Sequence, residues 1–437
     1  MWCGLALVQC FAVPERTCED ASGLFVEYQL CMPPAGFDLA VPRLVTDLIP
    51  ADFDGEGLDN DLAGLMYAGE LAELDASALV VLMRNDLSEP AMTTVDLPAR
   101  TTGLTPVSVG SNRQDLVYVS DPSEAADVGV LGYLANAEGF MGAAVEHPLR
   151  GNVPFLGEYG CRLPVGVTTS DKNSSVLVSC AINTDKRDDL DMLVYRGADV
   201  AVVDVPKFLS PAPNDYYAAA HEASVLGVHA AVILDVDGDG QLDGAAASKP
   251  VEADGADRVA ADDHKIVIVA FPAGKLPMVV SSYVDAGPIE GLFTGDLDGD
   301  GSTELITRHL DGGQLSILRQ KGAGSLEFEV AQTLAVRQPI DVALGDFTGD
   351  GEVDLAVVHA DRNDHTTAAV FIRAPDQGAG GFAYGFTDMG GVADDEVATA
   401  IAALDVDEDA ALDLAIAVLG AAGTDIRVFL NRSAGPR

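Results

Sequence analysis

The sequence predicts an all-β fold, a seven-bladed β-propeller with four-stranded antiparallel blades. Three observations predict it. An acidic loop of the form D-x-D-x-D-G-x-x-[DE] recurs along the chain. Its copies fall at intervals of roughly 50 residues, the length of one propeller blade. Short apolar runs of β character flank each copy, and helical periodicity is nearly absent.

Four segments align without gaps: ILDVDGDGQLDGAAAS from Ile233, TGDLDGDGSTELITRH from Thr294, LGDFTGDGEVDLAVVH from Leu344 and ALDVDEDAALDLAIAV from Ala403. A fifth, ADFDGEGLDNDLAGLM from Ala51, has one extra residue late in the loop. Two decayed copies fill the interval between. INTDKRDDLDMLVY from Ile182 puts Asn183, Asp185 and Asp191 at loop positions, and VSVGSNRQDLVYVS from Val107 keeps only Asp115. The loops then start at 52, 107, 183, 235, 296, 346 and 405, with steps of 55, 76, 52, 61, 50 and 59. Seven units of similar length suit a closed ring. The long step holds an insertion within about 121–170.

Within a unit, one apolar run precedes the loop (HAAVILD, PIDVALGD) and another comes after it (DLAVVHA, DLAIAVL). A third lies beyond a turn (KIVIVAF, QLSILRQ, AAVFIRA, IRVFLN), and a weaker fourth closes most units (PMVVSSYV, LEFEVAQTL, FAYGFTD). Leu62 to Leu74 reads as strand plus loop despite its Ala, Leu and Glu. NDYYAAAHEAS from Asn214 is the one stretch with a helical leaning. The last unit supplies only three runs before the chain stops at Arg437, which leaves one sheet edge to be covered. Gly23 to Leu30, GLFVEYQL, is expected to cover it as the outermost strand beside Asp425 to Leu430. The organisation expected is thus an N-terminal segment at 1–22, then one propeller over 23–437.

The loop is where the chemistry lies. Acids at alternate positions converge when the chain curls, and Gly at position 6 supplies the positive φ of the reversal. Several carboxylates in a flexible loop favour Ca²⁺ over Mg²⁺ or a transition metal. Without a cation they repel one another. About four to five Ca²⁺ sites are expected. The ligands are Asp235, Asp237, Asp239 and Asp243; Asp296, Asp298, Asp300 and Glu304; Asp346, Asp350 and Asp354. To these add Asp405, Asp407, Asp409 and Asp413, and Asp52, Asp54 and Glu56 with Asn60 or Asp61 closing. The closing acid is expected to give two oxygens. The 235 and 296 loops, with four acids and the Gly, should bind most tightly. Thr348 costs the 346 loop one charge, Ala410 replaces the Gly of the 405 loop, and Arg187 should repel a cation from the 183 loop. An EF-hand is excluded. Position 12 is Ala63, Ala246, Thr307, Val357 or Ile416, none of them an acid, and the residues after the loop have β rather than helical character.

These repeats resemble FG-GAP/VCBS repeats, the units of the integrin α-subunit propeller and of many bacterial surface proteins. The residues that carry the likeness are GDLDGDGSTELI from Gly295, GDFTGDGEVDLAVV from Gly345 and the third-strand ending VFLNRSAG from Val428. It covers roughly Leu44 to the C-terminus. The resemblance implies seven blades, Ca²⁺ in the hairpin between a blade's first two strands, and partner binding by loops of the opposite face.

Composition sets outer bounds. The 437 residues hold 69 acidic and 25 basic side chains, a net charge of −44, and the acids are 49 Asp against 20 Glu. Such a surface repels nucleic-acid backbones and anionic membranes. With 48% apolar residues the chain can bury a core. No apolar run reaches the ~18 residues of a membrane-spanning helix. Cysteines at 3, 10, 18, 31, 161 and 180 form no C-x-x-C pair. Cys161 and Cys180 suit either a disulfide or two buried thiols. Met1 to Val13 is apolar, as the end of a secretory signal would be, but lacks a basic start. A secreted or cell-surface protein is expected.

Catalytic motifs are missing from the sequence. It has no GxSxG, GxxxxGK[ST] or HExxH, and the two His of HEASVLGVH stand too far apart for a zinc helix. Asn173 and Asn431 open glycosylation sequons. The leading reading is a non-enzymatic, Ca²⁺-stabilised propeller that binds a protein or glycan. The alternative is a propeller enzyme acting on polysaccharide, a lyase or hydrolase, with Tyr216, Tyr217 and His221 as the nearest polar candidates.

Overall fold

The computed structural model describes residue 32 and most of 34–437. Outside the described residues lie 1–31 and several loops, the longest being 196–215 and 249–264; over 147–229 only the backbone is described. The protein is an all-β propeller of antiparallel blades. Among the described residues there is no helix.

Each blade is named here by the first residue of its first strand. The Leu44 blade comprises Leu44–Ala51, Asp61–Ala68, Asp75–Leu82 and Ala91–Asp96. The Thr101 blade comprises Thr101–Ser108, Gln114–Ser120, Val130–Leu134 and Val145–Pro148. The Leu163 blade comprises Leu163–Ser170, Asn173–Thr184, Arg187–Tyr195 and Tyr216–Ala219. The Val228 blade comprises Val228–Leu234, Asp243–Ser248, Lys265–Ala270 and Met278–Val284. The Gly291 blade comprises Gly291–Gly295, Glu304–His309, Gln314–Gln320 and Phe328–Ala335. The Pro339 blade comprises Pro339–Gly345, Asp354–Ala360, Thr366–Arg373 and Tyr384–Asp388. The Val397 blade comprises Val397–Leu404, Asp413–Gly420 and Gly423–Phe429, with Pro34–Val41 as its fourth strand.

Burial explains the sequence pattern. The second strands are covered on both faces by neighbouring sheets, so Asp354–Ala360 is buried throughout and reads as one apolar run. The fourth strands meet water, and Ala91–Asp96 alternates half-buried with exposed. The core lies between blades. One cluster joins Val45, Leu62, Leu79 and Met83 to Ala402, Ala415, Ile426 and Val428 across the Leu44 and Val397 blades. Another joins Leu297, Ile306 and Ile317 to Val342, Leu355 and Phe371 across the Gly291 and Pro339 blades. First strands of successive blades lie side by side around the axis. Several carry a bulge near their start, at Thr46, Ile340 and Thr399 among others.

Four expectations are corrected or completed. The free edge of Gly423–Phe429 is taken by Pro34–Val41, antiparallel, with Asp38 opposite Arg427 and Val41 opposite Thr424. It is not taken by Gly23 to Leu30, which lies outside the described residues. The Asn183 segment is no first-to-second-strand loop. Thr184 pairs with Arg187 in a tight turn between second and third strands, and Asp191 lies opposite Cys180 within the sheet. Tyr216–Ala219 is a strand rather than a helical turn. Between the Val130–Leu134 strand and the Leu163 blade the chain forms two short hairpins, Asn136–Ala137 with Phe140–Met141 and Arg150–Val153 with Gly157–Gly160. The region 163–170 is already the next blade's first strand.

Candidate metal centres

The 52, 235, 296, 346 and 405 loops each join a first strand to a second, so they open on one face of the propeller. Their second residue is always apolar and buried: Phe53, Val236, Leu297, Phe347 and Val406 are at most 1% exposed. That anchor pulls the loop inward and leaves the acids around it to fold back on themselves.

The 296 loop shows the arrangement most fully. Gly301 N–H donates to Asp296 Oδ2 at 3.0 Å, Asp300 N–H to Asp298 Oδ1 at 3.1 Å and Ser302 N–H to Asp300 Oδ1 at 2.7 Å. Asp296, Asp298 and Asp300 each bring a carboxylate oxygen to within 4.8 Å of the others. Burial, then the charges of Asp300 and Asp296, push the Asp298 carboxyl up. Asp296 Oδ1 is buried with no hydrogen-bond partner. An oxygen that has lost water and found no donor is one that a hard cation can satisfy.

In the 346 loop Asp346 accepts from Gly349 at 2.7 Å, Asp350 at 3.1 Å and Gly351 at 2.8 Å. Thr348, which replaces an acid, leaves its buried Oγ1 without a partner. The 405 loop brings Asp405, Asp407 and Asp413 within 4.8 Å. Its Asp409 accepts from Ala411 N–H at 3.0 Å. In the 52 loop Asp52 accepts from Gly55 at 2.7 Å and Asp54 from Glu56 at 3.0 Å. In the 235 loop Gly238 N–H donates to Asp235 Oδ1 at 2.9 Å. Asp237 and Asp239 lie outside the described residues.

The closing acid has a role that its place in the repeat does not reveal. Its two oxygens clamp backbone. Asp354 accepts from Phe347 N–H at 3.1 Å and from Arg373 N–H, at the end of the third strand, at 2.8 Å. Asp413 does the same with Val406 at 2.8 Å and Asn431 at 2.6 Å. So does Asp61 with Phe53 at 2.9 Å and Met83 at 2.8 Å, which makes Asp61 rather than Asn60 the closing residue. Asp243 and Glu304 accept from Val236 at 3.1 Å and Leu297 at 2.7 Å. Burial raises Asp61, Glu304 and Asp354 to about 7 and Asp413 to about 8. Asp115 survives where the other loop acids are lost, and it accepts from Tyr133 Oη at 2.5 Å and Asn136 N–H at 2.6 Å.

A second set of residues escapes a reading of the acids alone. The side chain that ends a third strand, or stands just beyond it, reaches to the preceding blade's loop. Asn136 Nδ2 donates to Phe53 O at 2.7 Å and Asn431 Nδ2 to Phe347 O at 2.7 Å. Gln320 Nε2 donates to Val236 O and Arg373 Nη1 to Leu297 O. The signal lies in the repeats, as a donor side chain ending each run: YLAN, ILRQ, VFIR, VFLN. Asn431 is fully buried, which closes that sequon to a glycan. Tyr216 and Tyr217 have only their backbone described, and His221 lies outside the described residues.

Residues 256–357 match the family model for the FG-GAP-like repeat. Repeat and fold together make this an FG-GAP repeat β-propeller protein. No curated protein matches the chain in sequence. Among solved structures, one of a candidate 6-phosphogluconolactonase from Bacteroides uniformis ATCC 8492 is similar at 14% identity and a TM-score of 0.44, covering 85% of this chain and 97% of that one. No helix among the described residues is long and apolar enough to cross a membrane.

Proposed function

We propose that this protein is a calcium-braced propeller of seven blades, secreted or held at the cell surface, which binds a protein or glycan partner and catalyses no reaction. The blade count is supported by the run of four-stranded sheets and the side-by-side order of their first strands. The observation that carries the calcium reading is the pair of buried, donorless oxygens, Asp296 Oδ1 and Thr348 Oγ1, in successive copies of one loop. The residues that would hold the ion are Asp296, Asp298 and Asp300 in one loop, and Asp405, Asp407 and Asp413 in another. Asp52 with Asp54, Asp346 with Asp350, and Asp235 with Asp237 and Asp239 would serve in the rest.

Extracellular calcium modules bind at ~10⁻⁴–10⁻³ M, a range that fills only outside the cytosol. That supports the surface or secreted assignment. With the acids engaged on one face, the opposite mouth is left for the partner. At ~100 times the dissociation constant each site adds about 2.7 kcal/mol by mass action. The melting temperature is therefore expected to fall in EDTA and recover with Ca²⁺. Asp298→Ala should lower the number of ions bound, counted by equilibrium dialysis. A melting temperature indifferent to both EDTA and Ca²⁺ would overturn the reading.

A further inference from the structure

Three of the acid loops are joined by a run of hydrogen bonds that crosses two blade boundaries. In the 405 loop, Asp413 brings a carboxylate oxygen to within 4.8 Å of one from each of Asp405 and Asp407. The same carboxylate accepts from Val406 N–H at 2.8 Å and from Asn431 N–H at 2.6 Å. Asn431 Nδ2 donates to Phe347 O, in the 346 loop of the preceding blade, at 2.7 Å. Phe347 N–H donates to Asp354, that loop's closing acid, at 3.1 Å. Asp354 also holds Arg373 N–H at 2.8 Å. Arg373 Nη1 in turn donates to Leu297 O, in the 296 loop one blade further back, and to Glu352 Oε2 of the 346 loop.

Each link is one residue long. Asn431 and Arg373 keep their backbone on the closing acid of their own blade and their side chain on the loop of the blade before. Leu297, Phe347, Asp354, Asp413, Val406 and Asn431 are all fully buried. Water cannot replace a bond lost among them, so a shift at one link strands a polar group at the next. The run has a defined end. Met83 stands in the Leu44 blade where Asn431 stands in the Val397 blade, with its N–H on Asp61 at 2.8 Å. A thioether cannot donate, so no equivalent side-chain link reaches from Met83 to Val406 O.

Such a run carries order from one loop to another. An ion drawn in by Asp405, Asp407 and Asp413 fixes the Asp413 carboxylate. Asp413 fixes Asn431, and Asn431 fixes the backbone of the 346 loop. An ion in the 346 loop acts on the 296 loop in the same way, through Asp354 and Arg373. The order that one ion imposes is order that the next need not impose, and two sites that share it favour each other's filling.

We propose that the 296, 346 and 405 loops take up Ca²⁺ cooperatively, each filled loop tightening its neighbour through Arg373 or Asn431. The proposal deepens the calcium reading above and rests on it. The test is hydrogen exchange of the full chain across a Ca²⁺ titration, read by mass spectrometry on peptides from the 296 and 346 loops. The amides of Gly301 and Ser302, and of Gly349 and Gly351, donate to the loop acids and report the filling of each loop. Asp350→Asn removes a ligand charge from the 346 loop and leaves Asp354, Glu352 and Arg373 in place. It is expected to raise the Ca²⁺ midpoint of the 296 loop about fivefold or more. In an Arg373→Met background Asp350→Asn should leave that midpoint where it is, whereas a direct effect of the lost charge would persist. Asp407→Asn should raise the midpoint of the 346 loop in the same way. Its effect should vanish in an Asn431→Ser background, which repeats the cycle at the second link if Arg373→Met does not fold. Midpoints unmoved by a substitution in the neighbouring loop, or shifts that survive loss of the linking side chain, overturn the proposal while the calcium reading stands. Exchange that Ca²⁺ slows in no loop of the unaltered protein overturns the calcium reading and the proposal with it.

Discussion

Ala410 holds a backbone angle that its side chain opposes. It stands at position 6 of its loop with φ 68°, where the 296 and 346 loops have Gly301 and Gly351 at φ 85° and 89°. A left-handed angle costs an L-residue about 1–2 kcal/mol, and glycine returns part of that as entropy of the unfolded chain. Ala410→Gly is therefore expected to stabilise the protein by about 0.5–1 kcal/mol, read by urea unfolding. No gain, or a loss, would mean that the loop does not hold this angle in solution. At this scale the positions of the acids were legible, because alternation and spacing survive in sequence. The double duty of Asp354 and Asp413 was not, because a carboxylate that clamps two N–H groups and one that ligates a metal are spelled alike.

Among the blades, the strand order within each unit was legible, set by apolar runs and Asp-Gly turns. The bulges were not, because a bulge adds one residue without changing the character of its strand. Nor was the grip between blades, which depends on where a side chain ends rather than on what it is. Asn431 is the clearest case. It is fully buried, and its amide donates to Phe347 O at 2.7 Å and Leu412 O at 3.1 Å. Removing it orphans both carbonyls in the core. Asn431→Ala is expected to cost about 2–4 kcal/mol, and hydrogen exchange should quicken first in the Pro339 and Val397 blades. A cost below ~0.5 kcal/mol would show that the grip is incidental.

For the molecule as a whole, the need for a closing strand came from an edge that could not be left bare. Its identity did not, since GLFVEYQL reads as β while PAGFDLAV, with its Pro and Gly, reads as loop. The edge position tolerates both, because one side of an edge strand needs no ladder bonds. Closure also depends on Gly423, at φ 135°, where a Cβ would lie 2.4 Å from Val41 O. Gly423→Ala should cost about 2–3 kcal/mol and open Pro34–Val41 to proteolysis while the other blades resist. Uniform cleavage along the chain would argue against a local seam.

That seam also sets a clock. Pro34–Val41 and Gly423–Phe429 are partners that stand far apart in the sequence. A ribosome adding about 5–20 residues per second needs on the order of 20–80 s to make the intervening stretch. Throughout that interval Pro34–Val41 exists without its mate, and every blade made meanwhile must wait in an open arc. Gly423–Phe429 is thus the strand that lets Pro34–Val41, made long before it, find its place.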